Sequence, residues 1–348
     1  MDVWRLFPGW QEEMLSYLEL LQIGVQPIVQ LYDADEEKAF RVSNSALNTI
    51  GCSVKALLRY GFKVLSRESV FHMQVGTAVH KGIACYFKTG DANKAYQKFL
   101  EAFPEGQAPE DRLALDNVGV IVHHYLHETL KHFPYYVHKS LIEIWFEQIM
   151  GWDSVESGGD GGPIVLVGRI DLMPEDPVSK AMMVLDWKTT GRMSDWWLKK
   201  WRMDSGLNGY AWAAREFMPG SVFPGNVIGV VELPKLSMPG KKCKKHGVDY
   251  GECRKFHPQH QVFSVSSEPH MIEEWRRSAL WGAKRLKALI RDYGPRNGKE
   301  GVKYVRMLGK FNGMCVFCEY QDFCLADRPV EWIGTVLQYK GDVVEVEG

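Results

Sequence analysis

Two carboxylates and an ammonium are crowded into one short span of this chain. The span runs from Val165 to Thr190; its core reads Val-Gly-Arg-Ile-Asp171-Leu-Met, then an irregular link, then Val-Leu-Asp186-Trp-Lys188-Thr-Thr. Asp186 and Lys188 are two apart, so on a strand both side chains leave the same face. Charges at the end of an apolar strand are costly to bury unless they serve each other or a ligand. Two carboxylates on one face suit Mg²⁺ or Mn²⁺, which prefer oxygen ligands, and a neighbouring lysine can orient a water or a phosphate. A surface Asp–Lys pair on an edge strand would use the same residue types, so the reading depends on the elements that hold them.

Those elements are legible in outline. Two apolar runs, Ile164–Leu172 and Ala181–Trp187, flank Pro174-Glu-Asp-Pro177-Val-Ser, whose turn chemistry predicts an antiparallel hairpin. Leu141 to Met150 reads as a strand entering that hairpin through the Gly-rich Ser157–Gly162 turn. Upstream, Ser43-Asn-Ser45 is a helix-start signal, followed by Leu47, Ile50, Val54, Leu57 and Leu58 at helical spacing. A second helix, Val75–Phe87, carries His80 between the small residues Gly76 and Gly82; residues 91–138 continue a helical pattern. After the hairpin, Trp197, Lys199, Lys200, Trp201 and Arg202 interleave aromatic and basic groups. Such a segment can stack bases and hold DNA phosphates, or be helix core. A helix over Asn208–Phe217, strands over Asn226–Leu233 and Gln261–Val265, and an amphipathic helix over Pro269–Tyr293 complete the pattern.

Composition narrows the class. The chain has 348 residues, 45% apolar and 24% charged, with a net charge of −1, which is ordinary for a soluble globular protein. A polyanion partner would therefore meet a local basic patch and not a basic molecule. The first residues lack a signal-peptide layout and no apolar run approaches the ~18 residues of a membrane span, so a cytoplasmic protein without a membrane partner is expected. Seven cysteines, three of them close together near the C-terminus, point to a reducing compartment and metal ligation.

Taken in order, Gly76-Thr-Ala-Val-His80, Ile142-Glu143, Gly168-Arg-Ile-Asp171 and Leu185-Asp186-Trp-Lys188-Thr resemble the RecB-like branch of the PD-(D/E)XK nuclease superfamily, over residues 43–328. Residues 1–42 would be an N-terminal helical extension and 329–348 a tail. The resemblance implies an α/β, restriction-endonuclease-like fold, a mixed central sheet flanked by helices with an iron–sulfur-stapled periphery. It implies that His80, Asp171, Asp186 and the backbone carbonyl of Trp187 ligate Mg²⁺ or Mn²⁺, that Lys188 positions the attacking water, and that Glu143 supports them or a second metal. The family's tyrosine on the next helix would be Tyr210, but the glutamine usual four residues earlier is Gly206 here. The implied activity is DNA hydrolysis, as an exonuclease on single strands or ends in recombination, repair or phage DNA metabolism. The alternatives are a CRISPR spacer-processing type of nuclease and a catalytically silent DNA-end-binding module. No Gly-x4-Gly-Lys-Ser/Thr loop is present, so unwinding would need a helicase or recombination partner.

Cys52 together with Cys315-x2-Cys318-x5-Cys324 resembles the iron–sulfur subgroup of the superfamily, which includes AddB-type and CRISPR-adaptation exonucleases. That resemblance implies a [4Fe–4S] cluster tying the first helix to the C-terminal region; four thiolates also suit zinc. Independently, the 234–261 insertion holds Cys243-x2-His246 and Cys253-x3-His257, two pairs able to close a tetrahedral zinc site amid lysines, or else a basic loop with incidental cysteines. Metal analysis separates these readings. Anaerobically purified protein is expected to be brown, absorbing near roughly 400 nm, and to carry zinc that disappears in the Cys243→Ser/Cys253→Ser variant. Colourless protein with zinc and no iron would overturn the cluster; equal zinc in both proteins would overturn the zinc site.

Overall fold

A computed structural model of the protein describes residues 29–30, 39–61, 64–106, 108, 111–154, 159, 161–201, 204–218, 225–234, 260–265, 267–293, 320 and 337–339. In chain order its strands are β1 (Val29–Gln30), β2 (Phe40–Ser43), β3 (Val64–Ser66), β4 (Tyr136–Trp152), β5 (Pro163–Glu175), β6 (Val184–Thr190), β7 (Asn226–Glu232), β8 (His260–Val265) and β9 (Leu337–Tyr339). Its α-helices are α1 (Asn44–Leu47), α2 (Ser53–Ala56), α3 (Arg67–Thr89), α4 (Ala92–Ala102), α5 (Leu115–His124), α6 (Asp195–Lys200), α7 (Ser205–Phe217) and α8 (Pro269–Tyr293). The main sheet runs β1-β4-β5-β6-β7-β8 with β2 also on β5, while β3 and β9 form a separate ribbon. Pairing is mixed: β4/β5, β5/β6 and β7/β8 are antiparallel, and β1/β4, β2/β5 and β6/β7 are parallel. This is the mixed α/β arrangement the sequence predicts. Among the described residues no helix is long and apolar enough to cross a membrane.

Alternation along the strands sends two sets of side chains into two cores. On one face Ile144, Phe146, Ile164, Leu166, Ile170 and Val184 pack with Trp212 of α7 and Ile272, Trp275 and Leu286 of α8. On the other, Ile142, Leu172, Leu185, Trp187, Val227 and Val231 pack with Val75, Val79 and Ile83 of α3, Phe99 of α4 and Ile121 of α5. Ile142 and Ile144 are two apart on β4 yet belong to different cores, as do Ile170 and Leu172 on β5. Strict alternation would put each pair on one face, so the ribbon changes face between them. The change falls at Glu143, whose φ is +56° although the register is the same on either side of it; a separate register shift lies upstream, between Val137 and Ile142. A left-handed residue inside an extended strand re-aims it at the expense of local strain.

The hairpin is real but nearly unzipped. β5 and β6 share the register pair Leu172↔Leu185 and a bridge Glu175↔Met182, closed by a turn in which Asp176 caps Val178 and Ser179. Beyond Leu172 the two strands part, β6 running parallel to β7 and the earlier half of β5 taking β2 as a parallel neighbour. The site lies in this fork.

The helical readings need correction in two places. Ser43 does cap α1, its Oγ accepting the Ala46 N–H at 3.2 Å, but the helix ends at Leu47 and restarts at Ser53. Asn48, Thr49 and Gly51 are weak helix formers, and the chain turns there. The 91–138 pattern likewise breaks: α4 ends before Phe103-Pro104, where the proline forces an extended neighbour, and Tyr136 to His138 already belong to β4.

One aromatic side chain fixes β6 in place. Trp187 is 2% exposed and stacks on Phe87 at 6.3 Å, with Tyr125 and Phe133 at 6.0 Å. Its register partner on β7 is Gly229, where an added Cβ would meet the Trp187 ring. With the indole locked into one core, Asp186 and Lys188 must leave the opposite face. Gly229→Ala is therefore expected to destabilise the fold by about 1–3 kcal/mol through overpacking, read as a lower denaturant midpoint with unchanged slope. An unchanged midpoint would show that the indole has room to move.

Candidate active site

Asp171 stands where β5 leaves β6, and its carboxylate does the work of the missing ladder. The Trp187 N–H donates to Asp171 Oδ2 at 2.8 Å, and the same oxygen is 3.3 Å from His80 Nδ1, brought over by the middle of α3. His80 stands on α3 beside Val79, which faces the core. Asp186 is 5% exposed, and Lys188 Nζ is paired with its Oδ2. The Lys188 ammonium also lies over the Trp201 ring, 5.3 Å from its centroid.

The electrostatics follow from burying four ionisable groups together. For Asp186, burial outweighs the attraction of Lys188, and Asp171 adds repulsion, so its carboxyl is pushed up to about 6. Asp171 is also penalised by burial, but His80 and the Trp187 N–H more than offset it and hold its carboxyl below the usual range. Burial presses His80 down; the attraction of Asp171, and then of Asp186, leaves it raised. Burial likewise opposes the Lys188 charge, yet the attraction of Asp186, and to a smaller degree of Asp171, leaves that ammonium raised. Tyr210, on α7, is pushed up first by burial and then by Asp186, so its phenol keeps its proton. One of the four groups, Asp186, thus remains under-compensated.

The other sequence-predicted positions are placed as follows. Glu143 lies between the register pairs Ile142↔Leu172 and Ile144↔Ile170, opposite Asp171, but its carboxylate is held by Lys88 at 3.0 Å and Arg169 at 3.2 Å. Neither clamp was evident from the sequence; a mid-strand glutamate on a buried ribbon signals a need for counter-charges without naming them. Gly206 presents no side chain, and its carbonyl accepts from Asn44 Nδ2 at 3.3 Å. Trp201 is 7% exposed in a core patch with Leu207, Ile228 and Val230, and Trp197 packs on it edge-to-face at 5.2 Å. Lys199 is exposed, whereas the Lys200 side chain and Arg202 lie outside the described residues. Cys52 caps α2, its Sγ accepting the Lys55 N–H at 3.5 Å; Cys315, Cys318, Cys324, Cys243, His246, Cys253 and His257 lie outside the described residues.

A family model of the PD-(D/E)XK nuclease superfamily matches residues 41–325. The chain belongs to the PD-(D/E)XK nuclease superfamily. No curated protein matches it. The superfamily's chemistry is metal-dependent phosphodiester hydrolysis, generally with Mg²⁺ or Mn²⁺, and nucleic acid is the substrate class it implies. This PD-(D/E)XK site fits such an ion in donor type, with two carboxylates and an imidazole, hard oxygens predominating. It also fits in charge, since a cation supplies what Asp186 lacks. Among the described residues no three His, Cys, Asp or Glu side chains converge as a ready cluster. Two of the carboxylate oxygens already have partners, Asp171 Oδ2 with His80 and Asp186 Oδ2 with Lys188. Saturating Mn²⁺ is therefore expected to raise the melting temperature of the wild type, by about 2.7 kcal/mol of stability at a hundred times Kd. Asp186→Asn should stay folded and lose most of that rise; an equal rise in both proteins would place the ion elsewhere.

Proposed function

We propose that this protein is a metal-dependent deoxyribonuclease of the RecB-like kind, acting as an exonuclease on single strands or DNA ends in recombination, repair or phage DNA metabolism, with a helicase or recombination partner where unwinding is needed. The observation that carries the reading is the pair of carboxylates, Asp171 and the buried Asp186, in the β5/β6 fork, bracketed by His80 and Lys188.

When bound, the divalent ion would be held by Asp171, Asp186, His80 and the Trp187 carbonyl, and would supply Lewis acidity and a water of lowered pKa. The chain's own residues do the rest. Lys188 keeps its proton, so its part is to place positive charge beside the scissile phosphate and orient the water, not to act as a base. Trp201 backs the lysine and limits the directions it can take. The protonated Tyr210 phenol can donate a hydrogen bond but not accept the reaction's proton. Glu143, clamped by Lys88 and Arg169, supports the Asp171 position from the neighbouring strand. A [4Fe–4S] cluster on Cys52, Cys315, Cys318 and Cys324 would tie the two ends of the domain together, in a structural role. A zinc site on Cys243, His246, Cys253 and His257 would fix the lysine-rich insertion as a phosphate-binding knob. The cytoplasm is the compartment that suits both thiolate sites.

A second reading, a catalytically silent DNA-end-binding module, draws on Gly206, where the family's substrate-contacting amide is missing. Incubation with end-labelled single- and double-stranded DNA, with and without Mn²⁺, decides between them. Cleavage should require the ion and vanish in Asp186→Ala. Lys188→Ala should bind DNA normally while losing about 10²–10³ in turnover, as the removal of one preorganised transition-state donor does. Wild-type protein that binds ends and never cleaves them would establish the silent module; undiminished cleavage by Asp186→Ala would dismantle the site assignment.

A further inference from the structure

Two residues before Asp171 on β5, and directly across the ribbon on β4, stands a pair that the hydrolytic chemistry does not use. Trp145 is 52% exposed in the middle of a strand whose neighbours Ile144 and Phe146 are buried. Its register partner is Arg169, whose guanidinium lies over the indole at 5.5 Å from the centroid. Arg169 is itself anchored on Glu143, which Lys88 holds from the other side. Close by, Arg41 of β2 pairs with Glu147 at 3.2 Å, and Glu147 follows Trp145 by two residues on β4. Three cations and two carboxylates leave this patch with a net charge of +1. One face of a large, rigid aromatic ring thus carries a guanidinium fixed in orientation, and about half of the side chain is open to solvent.

The position of the pair says what it faces. Two residue rises on a strand are about 6.6 Å, close to the rise of two stacked nucleotides at about 3.4 Å each. A strand whose phosphate lies in the fork, drawn there by the Lys188 ammonium and not by the carboxylates, would bring a nearby base over Trp145. Indole faces hold unpaired bases of any identity, and arginine adds to such stacking. A paired base inside a duplex does not offer its face.

We propose that Trp145 and Arg169 form a stacking platform for an unpaired base of the nucleic-acid strand that enters the Asp171–Asp186 site, making the substrate single-stranded at that point. The inference rests on the nuclease reading for its location, but its test does not require turnover. Binding is measured by fluorescence anisotropy in EDTA with three probes: a labelled oligothymidylate, the same oligomer with abasic sites, and a blunt duplex. Wild-type protein should prefer the base-bearing single strand over the abasic one. Trp145→Ala should weaken oligothymidylate binding by about 5- to 150-fold and abolish that preference. Trp145→Phe should restore most of it, and Arg169→Lys should lie between wild type and Trp145→Ala. Because Trp145 is half-exposed, these variants are expected to fold, and the phenylalanine rescue guards against a merely structural loss. Unchanged oligothymidylate affinity in Trp145→Ala would overturn the platform, as would an equal loss for the abasic oligomer or the duplex. With Mn²⁺ added, wild-type protein that binds with base preference but does not cleave would fail the nuclease reading and leave the platform standing. Cleavage of single strands by Trp145→Ala with unaltered KM would do the reverse.

Discussion

The interaction on which the site depends is the bond from the Trp187 N–H to the Asp171 carboxylate. It exists because β5 and β6 separate just where their ladder should continue, leaving a backbone donor that must find a partner inside the protein. A buried N–H left bare costs on the order of 1–3 kcal/mol, so a side-chain acceptor at position 171 serves the fold as well as the chemistry. An aspartate does this by bringing a charge into the interior, and each later feature compensates for that. His80 comes in from α3, Lys188 neutralises Asp186, and the aromatic cluster around Trp187 keeps both strands from sliding. Burying an ion costs several kcal/mol even after relaxation. The protein tolerates this here because the four groups answer one another, with Asp186 left partly unanswered.

The fork in turn depends on a local distortion. Glu143 holds a left-handed backbone, a conformation that costs a non-glycine residue on the order of 1–3 kcal/mol. Its return is a change of face: Ile142 just before it packs in the core under α3, and Ile144 just after it in the core under α7 and α8. Asp171, opposite Glu143, stands at the crossing point and can address both layers, with His80 on one side and Tyr210 on the other. The ion pairs from Lys88 and Arg169 hold the strained residue where it is, and they couple α3 to the ribbon a second time, two turns along from His80.

Much of this was legible in the chain and some was not, for reasons of scale. Asp186-x-Lys188 announced itself because a period of two on a strand fixes the face without further information. The same holds for Pro174 to Ser179 as a turn, and for the long helix Pro269–Tyr293, whose periodicity repeats often enough to be unambiguous. β1 and β2 were missed: two and four residues are too few to display a period, and their parallel partners lie more than a hundred residues away. The left-handed turn of the backbone at Glu143 leaves no signature, since nothing in Leu-Ile-Glu-Ile distinguishes a strand that switches faces from one that does not. Trp197 and Trp201 read equally as base-stacking groups or core; the fold sends Trp201 inward, where it backs Lys188, while Trp145 on β4 keeps its indole exposed. The tertiary environment decided between residues whose types are the same.

The most direct test of the account is anomalous diffraction at the manganese edge from crystals grown with Mn²⁺. The account predicts a single strong peak in the β5/β6 fork, within ligand distance of Asp171 and Asp186, with the Lys188 ammonium moved off the Asp186 oxygen it otherwise pairs with. A fork with no peak at saturating Mn²⁺, and Lys188 still on Asp186, would contradict it.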